Sequence, residues 1–96
     1  MFTVVHEGTC AADAWPAALE EIGPNGARSS TQRLEPGYLG SLLLSQPDAE
    51  RAGRTRFILL DMWDERYAGP STVSGPIPTA NTVEWLGAPS VFSAIR

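Results

Sequence analysis

A chain of 96 residues with a net charge of −4 has room for one domain and one small core, and its 43% hydrophobic content excludes wholesale disorder. All seven cationic side chains are Arg, and only Arg51, Arg54 and Arg56 fall close together, so no basic stripe is present for nucleic acid. No apolar run approaches the ~18 residues of a membrane-spanning helix, the start MFTVVHEG lacks the basic and apolar regions of a secretion signal, and the single Cys10 cannot form an intramolecular disulfide. These features lead us to expect a cytoplasmic protein with neither a membrane nor a nucleic-acid partner.

Phe2–His6 alternates weakly and carries the β-branched Thr3, Val4 and Val5, which reads as a first strand. A polar, small-residue turn follows, in which Thr9 or Asp13 can cap a helix. With Asp13 as the cap, Pro16 falls in the first turn, where its missing N–H costs little. Trp15, Leu19 and Ile22 then recur at i, i+4 and i+7 and form one apolar helix face. Gly23-Pro24-Asn25-Gly26 either ends this helix or bends it before a second stretch over 27–34.

The two long apolar runs lie within Glu35–Asp64. Tyr38–Ser45 reads as strand two, with Tyr38, Gly40, Leu42 and Leu44 on one face and Leu39, Ser41, Leu43 and Ser45 on the other. Gln46–Arg56 is a connecting loop, and Arg56–Trp63 is strand three. In strand three, Phe57, Leu59, Asp61 and Trp63 face opposite to Ile58, Leu60, Met62 and Asp64. Both faces are largely apolar, which an antiparallel strand with one wet side would not be. One helix layer covers one face, so a second subunit is expected on the other. Beyond Trp63 the periodicity fails. The Pro/Gly-rich stretch at about 66–80 is longer than an ordinary connection, so it reads as a lid, a binding loop or a surface excursion. Thr82–Gly87 reads as a helix, while Val91–Ile95 fits either a last helical turn or a short final strand.

Pro36-Gly37-Tyr38-Leu39-Gly40 before a strand, and Trp63-Asp64-Glu65 closing RFILLDMWDER, resemble the antibiotic-biosynthesis-monooxygenase-like domains. EWLGAPSVFSAIR near the end is similar to that family's second helix. The resemblance implies that residues 1–96 form a single α+β domain. Its fold would be a ferredoxin-like antiparallel sheet with helices on one face, two copies forming a dimeric α+β barrel through the sheet face. If Glu84–Arg96 is helix two, the chain stops before a fourth strand. Either Val91–Ile95 serves as that strand or a partner completes the sheet.

The resemblance implies two chemistries. The haem-degrading members use an Asn, a Trp and a His, of which only Trp63 has a counterpart, and Arg96 near the His position cannot ligate haem iron. The other members are cofactor-independent monooxygenases acting on flat aromatic molecules, so no cofactor and no metal is expected. For that reaction the only histidine, His6, is the base by default. Asp61, on the same predicted face as Trp63, orients a base or accepts the proton itself. Tyr38, Phe57, Tyr67 and Trp85 would line a slot for an apolar or aromatic small molecule. Each has a structural alternative: Trp63 as a core or interface aromatic, His6 as an ordinary strand-end histidine, Tyr38 as a strand-start aromatic. Asp61 inside an apolar strand is different, because a buried carboxylate costs several kcal/mol unless it is paired; it faces solvent or has a partner such as Arg. Cys10 is a weak nucleophile candidate. The functional alternative to an enzyme is a non-catalytic ligand-binding or protein-interaction domain of the same fold.

Overall fold

A computed structural model describes residues 1–24, 26, 32–66 and 83–95. Strand β1 (Phe2–Ala11) runs through the middle of an antiparallel sheet and leads by a single 3-10 turn (Ala12–Ala14) into helix α1 (Trp15–Ile22). The hairpin of β2 (Tyr38–Pro47) and β3 (Arg54–Trp63) follows, then β4 (Glu84–Trp85) and β5 (Ser90–Ser93). The strands lie in the order β2-β3-β1-β4, with β5 also pairing with β1. The architecture is α+β, as expected, with one α-helix among the described residues.

The central strand is longer than Phe2–His6. Gly8, Cys10 and Ala11 carry little strand propensity, yet pairing with β3 continues through Gly8↔Phe57 and Cys10↔Thr55 to Ala11↔Arg54. Tertiary packing overrides propensity here. The Phe57 ring lies directly over Gly8, and a methyl group added there would run into it. Gly8→Ala should therefore lower stability by about 1–3 kcal/mol through overpacking, measurable as a fall in the urea midpoint with an unchanged slope.

Helix α1 begins without a side-chain cap, since Ala14 occupies the N-cap position and Asp13 makes no capping bond; Pro16 does sit in the first turn. The buried face is Ala18 and Ile22 with Trp15 partly covered, while Leu19, expected on that face, is exposed. The sheet supplies a surface that fits the small Ala18 in place of Leu19. The possible second stretch over 27–34 falls largely outside the described residues, as does the Pro/Gly-rich loop from residue 67 onward.

Two corrections concern the end of the chain. Glu84–Trp85 and Ser90–Ser93 are strands, so neither the helix at Thr82–Gly87 nor the family's second helix at Glu84–Arg96 forms over the described part of those ranges. Backbone pairing decides this: Glu84 and Trp85 face Thr9 and Gly8, and Ser90–Ser93 face Val5–Phe2. Gly87, at φ 83°, and Pro89 break the ladder between them, and neither suits a helix interior. The short final strand left open for the tail is the form observed.

A third correction concerns β2. A bulge between Tyr38 and Gly40 pairs Tyr38 with Trp63 and Gly40 with Met62, so Leu39 is the extra residue. Tyr38 thereby joins Ser41 and Leu43 on the covered face instead of Leu42 and Leu44. Gly40 accommodates the irregularity at φ 147°. The two faces of the sheet are now distinct. The covered face holds Phe2, Val4, Cys10, Phe57, Leu59 and Trp63 with α1 at one end. The opposite face carries Leu42, Leu60 and Val5 in one row and Leu44 beside Ile58 in the next. Leu42 and Leu44 are each 49% exposed, so that face is not fully covered within the protomer.

Candidate functional site

The covered face contains two apolar clusters with a polar seam between them. Cys10, Ala18, Ile22, Phe57 and Leu59 form one cluster, and Phe2, Val4 and Trp63 form the other. His6 and Asp61 lie between them. In the register, His6 faces Leu59 and Val4 faces Asp61, so His6 and Asp61 are diagonal neighbours on one face. Both are almost fully buried, at 3% and 1% exposure. Far from a strand end, His6 sits in the middle of a ten-residue strand.

Asp61 is buried and does not face solvent. Its Oδ1 accepts a 2.6 Å hydrogen bond from the Ser41 hydroxyl, and its Oδ2 lies 3.3 Å from His6 Nε2. A 2.6 Å contact is typical of a hydroxyl donating to a carboxylate. Because a serine hydroxyl has one proton, the 2.6 Å contact between Ser41 Oγ and the Tyr38 hydroxyl assigns Tyr38 as the donor there. Tyr38, Ser41 and Asp61 therefore form a hydrogen-bonded chain across β2 and β3, and His6 of β1 lies against its Asp61 end, the four together making a relay. The His6–Asp61 contact is close enough for ion pairing but not aligned as a hydrogen bond, so Nε2 retains donor or acceptor capacity.

Ser41 was not among the residues expected here. Simple alternation from Tyr38 places Ser41 on the opposite face, and only the bulge brings them together. The local signal was Gly40, because a glycine inside a strand marks a bulge more often than a regular position.

Aromatic rings frame the relay. Tyr38 and Trp63 meet edge to face with centroids 5.3 Å apart. Trp85, opposite Gly8, lies 5.9 Å from the His6 ring and 5.4 Å from Phe57. The indole nitrogens of Trp63 and Trp85 are both buried without a hydrogen-bond partner, a condition native interiors rarely leave unexplained. Of the expected site residues, the fold sets His6 beside Asp61, Tyr38 beside Trp63, and Trp85 beside His6 and Phe57. Phe57 belongs to the neighbouring apolar cluster, stacked against Trp15 at 5.4 Å. Tyr67 lies outside the described residues.

A surface cleft of about 390 Å³ lies elsewhere, lined by Leu44, Ser45, Gln46, Arg56, Phe57 and Ile58. Phe57 is four residues along β3 from Asp61, about 13 Å at the rise of a strand, so this cleft is not the mouth of the relay.

Other polar groups are structural. Arg54 binds the Thr9 hydroxyl at 3.3 Å and reaches Glu84 at 3.6 Å, tying β4 to the sheet, and Arg56 lies 3.6 Å from Glu7. Arg66 donates side-chain and backbone hydrogen bonds to Asp64 and holds its carboxyl down to about 2. The Asp64 value is depressed, so the pairing is complete above the ordinary carboxylate range near pH ~4 and is lost as pH falls through about 2. Burial pushes the Cys10 thiol up, with Arg54 opposing and Asp13 adding to the rise. A buried thiol with a raised pKa is a poor nucleophile. Cys10 should thus react with a disulfide reagent at pH 8 at least tenfold slower in the native protein than in urea, measured as thionitrobenzoate release. No group of three or more potential metal-binding His, Cys, Asp and Glu side chains occurs among the described residues, and no described helix is long and apolar enough to cross a membrane. Set against family models, curated proteins and solved structures, the chain matches none of them.

Proposed function

We propose that this chain is a homodimeric, ferredoxin-like α+β barrel domain that binds a flat apolar or aromatic small molecule and oxygenates it without a cofactor. The observation that carries this reading is the relay from Tyr38 through Ser41 to the buried Asp61 and His6. A relay of this kind holds an imidazole beside a carboxylate in a water-poor setting, which is what general acid–base catalysis needs. The strand order β2-β3-β1-β4 with α1 between β1 and β2 supports the ferredoxin-like part, and the apolar opposite face supports the second subunit.

His6, steadied by Asp61, takes a proton from a ring carbon activated through a fused arene by a ketone, as in anthrone. The electron-rich carbanion gives an electron to dioxygen, and the resulting radical pair combines into a C–O bond. The peroxide takes up the proton, and loss of water leaves a new carbonyl. Dioxygen is the oxidant and the substrate carbon is oxidised, so no metal or flavin enters the balance. Trp63, Tyr38 and Trp85 supply the aromatic walls.

With anthrone as substrate, oxygen-electrode traces should show protein-dependent uptake that falls about 10²–10⁴-fold in His6→Ala and Asp61→Asn, the range for losing a general acid–base group. Uptake unchanged in both variants would remove the relay from the mechanism. The position of the cleft, about 13 Å along β3 from Asp61, favours a second reading, a ligand-binding or protein-interaction domain of the same fold that performs no reaction.

A further inference from the structure

β4 and β5 occupy one edge of the sheet as a single interrupted strand. Trp85 faces Gly8, the Leu86 N–H still donates to the Glu7 carbonyl at 2.8 Å, and pairing resumes only at Ser90↔Val5. The residues between, Gly87, Ala88 and Pro89, have no ladder partner and fall beside His6. Gly87 takes φ 83° in open space. The strand carrying Trp85 is only two residues long, and its ring packs against the Phe57 cluster and lies beside the His6 ring.

Two buried polar atoms without a hydrogen-bond partner lie in neighbouring rings here, His6 Nε2 and Trp85 Nε1, with ring centroids 5.9 Å apart. Trp63 Nε1 is also without a partner, but it belongs to the other end of the face, opposite Phe2. An indole N–H can only donate, so what is missing is an acceptor. An apolar occupant would leave the Trp85 donor orphaned, whereas a carbonyl or phenolate oxygen on a flat ring would satisfy it and pack against the His6 and Phe57 rings.

We propose that the Trp85 indole N–H is the hydrogen-bond donor to a carbonyl or phenolate oxygen of the ligand, and that the Gly87–Pro89 interruption lets Trp85 swing to admit it. This assignment rests on the ligand site proposed above and gives that site its selectivity. Trp85 binds the oxygen, and His6 is left to handle the proton.

The probes are 9-fluorenone and fluorene, which have the same rings and differ at the carbonyl. Their binding is measured by tryptophan fluorescence quenching in the wild type, Trp85→Phe and His6→Ala, each checked for folding by circular dichroism. The wild type should bind fluorenone at least tenfold more tightly than fluorene. Trp85→Phe should abolish that preference, weakening fluorenone binding at least tenfold more than fluorene binding. In the wild type labelled with ¹⁵N-tryptophan, fluorenone but not fluorene should move the Trp85 indole N–H resonance downfield, a readout that needs no variant. Equal weakening of both probes in Trp85→Phe, no change in either, or a wild type that binds neither would overturn the assignment. A fluorenone preference retained in Trp85→Phe but lost in His6→Ala would overturn the role of Trp85 and leave the His6–Asp61 centre standing.

Discussion

Asp61→Ala should cost about 3–5 kcal/mol, the range for emptying a buried position and leaving a hydrogen-bond donor without its acceptor. The substitution removes the acceptor for the Ser41 hydroxyl and the carboxylate beside His6 Nε2, and it leaves a void between two apolar clusters. For a domain whose whole stability is about 5–15 kcal/mol, such a loss removes about a fifth or more of the total. Ser41→Ala should be milder, about 1.5–3 kcal/mol, because it deletes one charge-assisted bond and leaves the His6–Asp61 contact in place. Urea unfolding at fixed protomer concentration gives both numbers, and keeping that concentration fixed matters if folding and association are linked. Ser41→Ala costing more than Asp61→Ala would mean that Asp61 does not anchor the seam.

The second large effect lies on the opposite face. Leu42 stands in a row with Leu60 and Val5, half exposed and flanked by Leu44 and Ile58 in the next row. The proposed dimer buries this row against its copy. Leu42→Asp should then weaken association at least 100-fold, since a carboxylate desolvated without a partner costs several kcal/mol and each 1.4 kcal/mol is tenfold. Sedimentation at micromolar concentration should give a dimer for the wild type and a monomer for Leu42→Asp. The relay lies on the other face and should survive, so the variant's urea midpoint measures folding apart from association. A wild type that sediments as a monomer would refute the proposed dimer.

The hairpin at the heart of the fold was legible because Tyr38–Ser45 and Arg56–Trp63 are dense in Leu, Ile and aromatic residues and bounded by Gly or Pro. The second half of β1 was not legible. Gly8, Cys10 and Ala11 show their reason only beside Phe57, whose ring takes the space a larger residue would fill. Val83 and Leu86 have helical spacing, yet the free edge of β1 and the glycine at 87 settle their conformation. At the site, the type of residue could be read but the partner could not. A lone carboxylate in an apolar strand announces a buried polar contact. That its partners include His6, 55 positions earlier in the numbering, and Ser41, turned inward by a bulge, depends on a cross-strand register that no local pattern encodes.

The claim on which the rest depends is that the Tyr38–Ser41–Asp61–His6 relay moves protons to and from a bound molecule. The direct measurement is anaerobic deuterium incorporation at the methylene carbon of anthrone in heavy water, followed by proton NMR. Without dioxygen, only the acid–base step can proceed. The relay predicts exchange accelerated by the wild-type protein and reduced to the buffer rate by Asp61→Asn and His6→Ala, with Cys10→Ser indistinguishable from wild type. Exchange at the buffer rate with the wild-type protein, or equal acceleration by all four proteins, would contradict it.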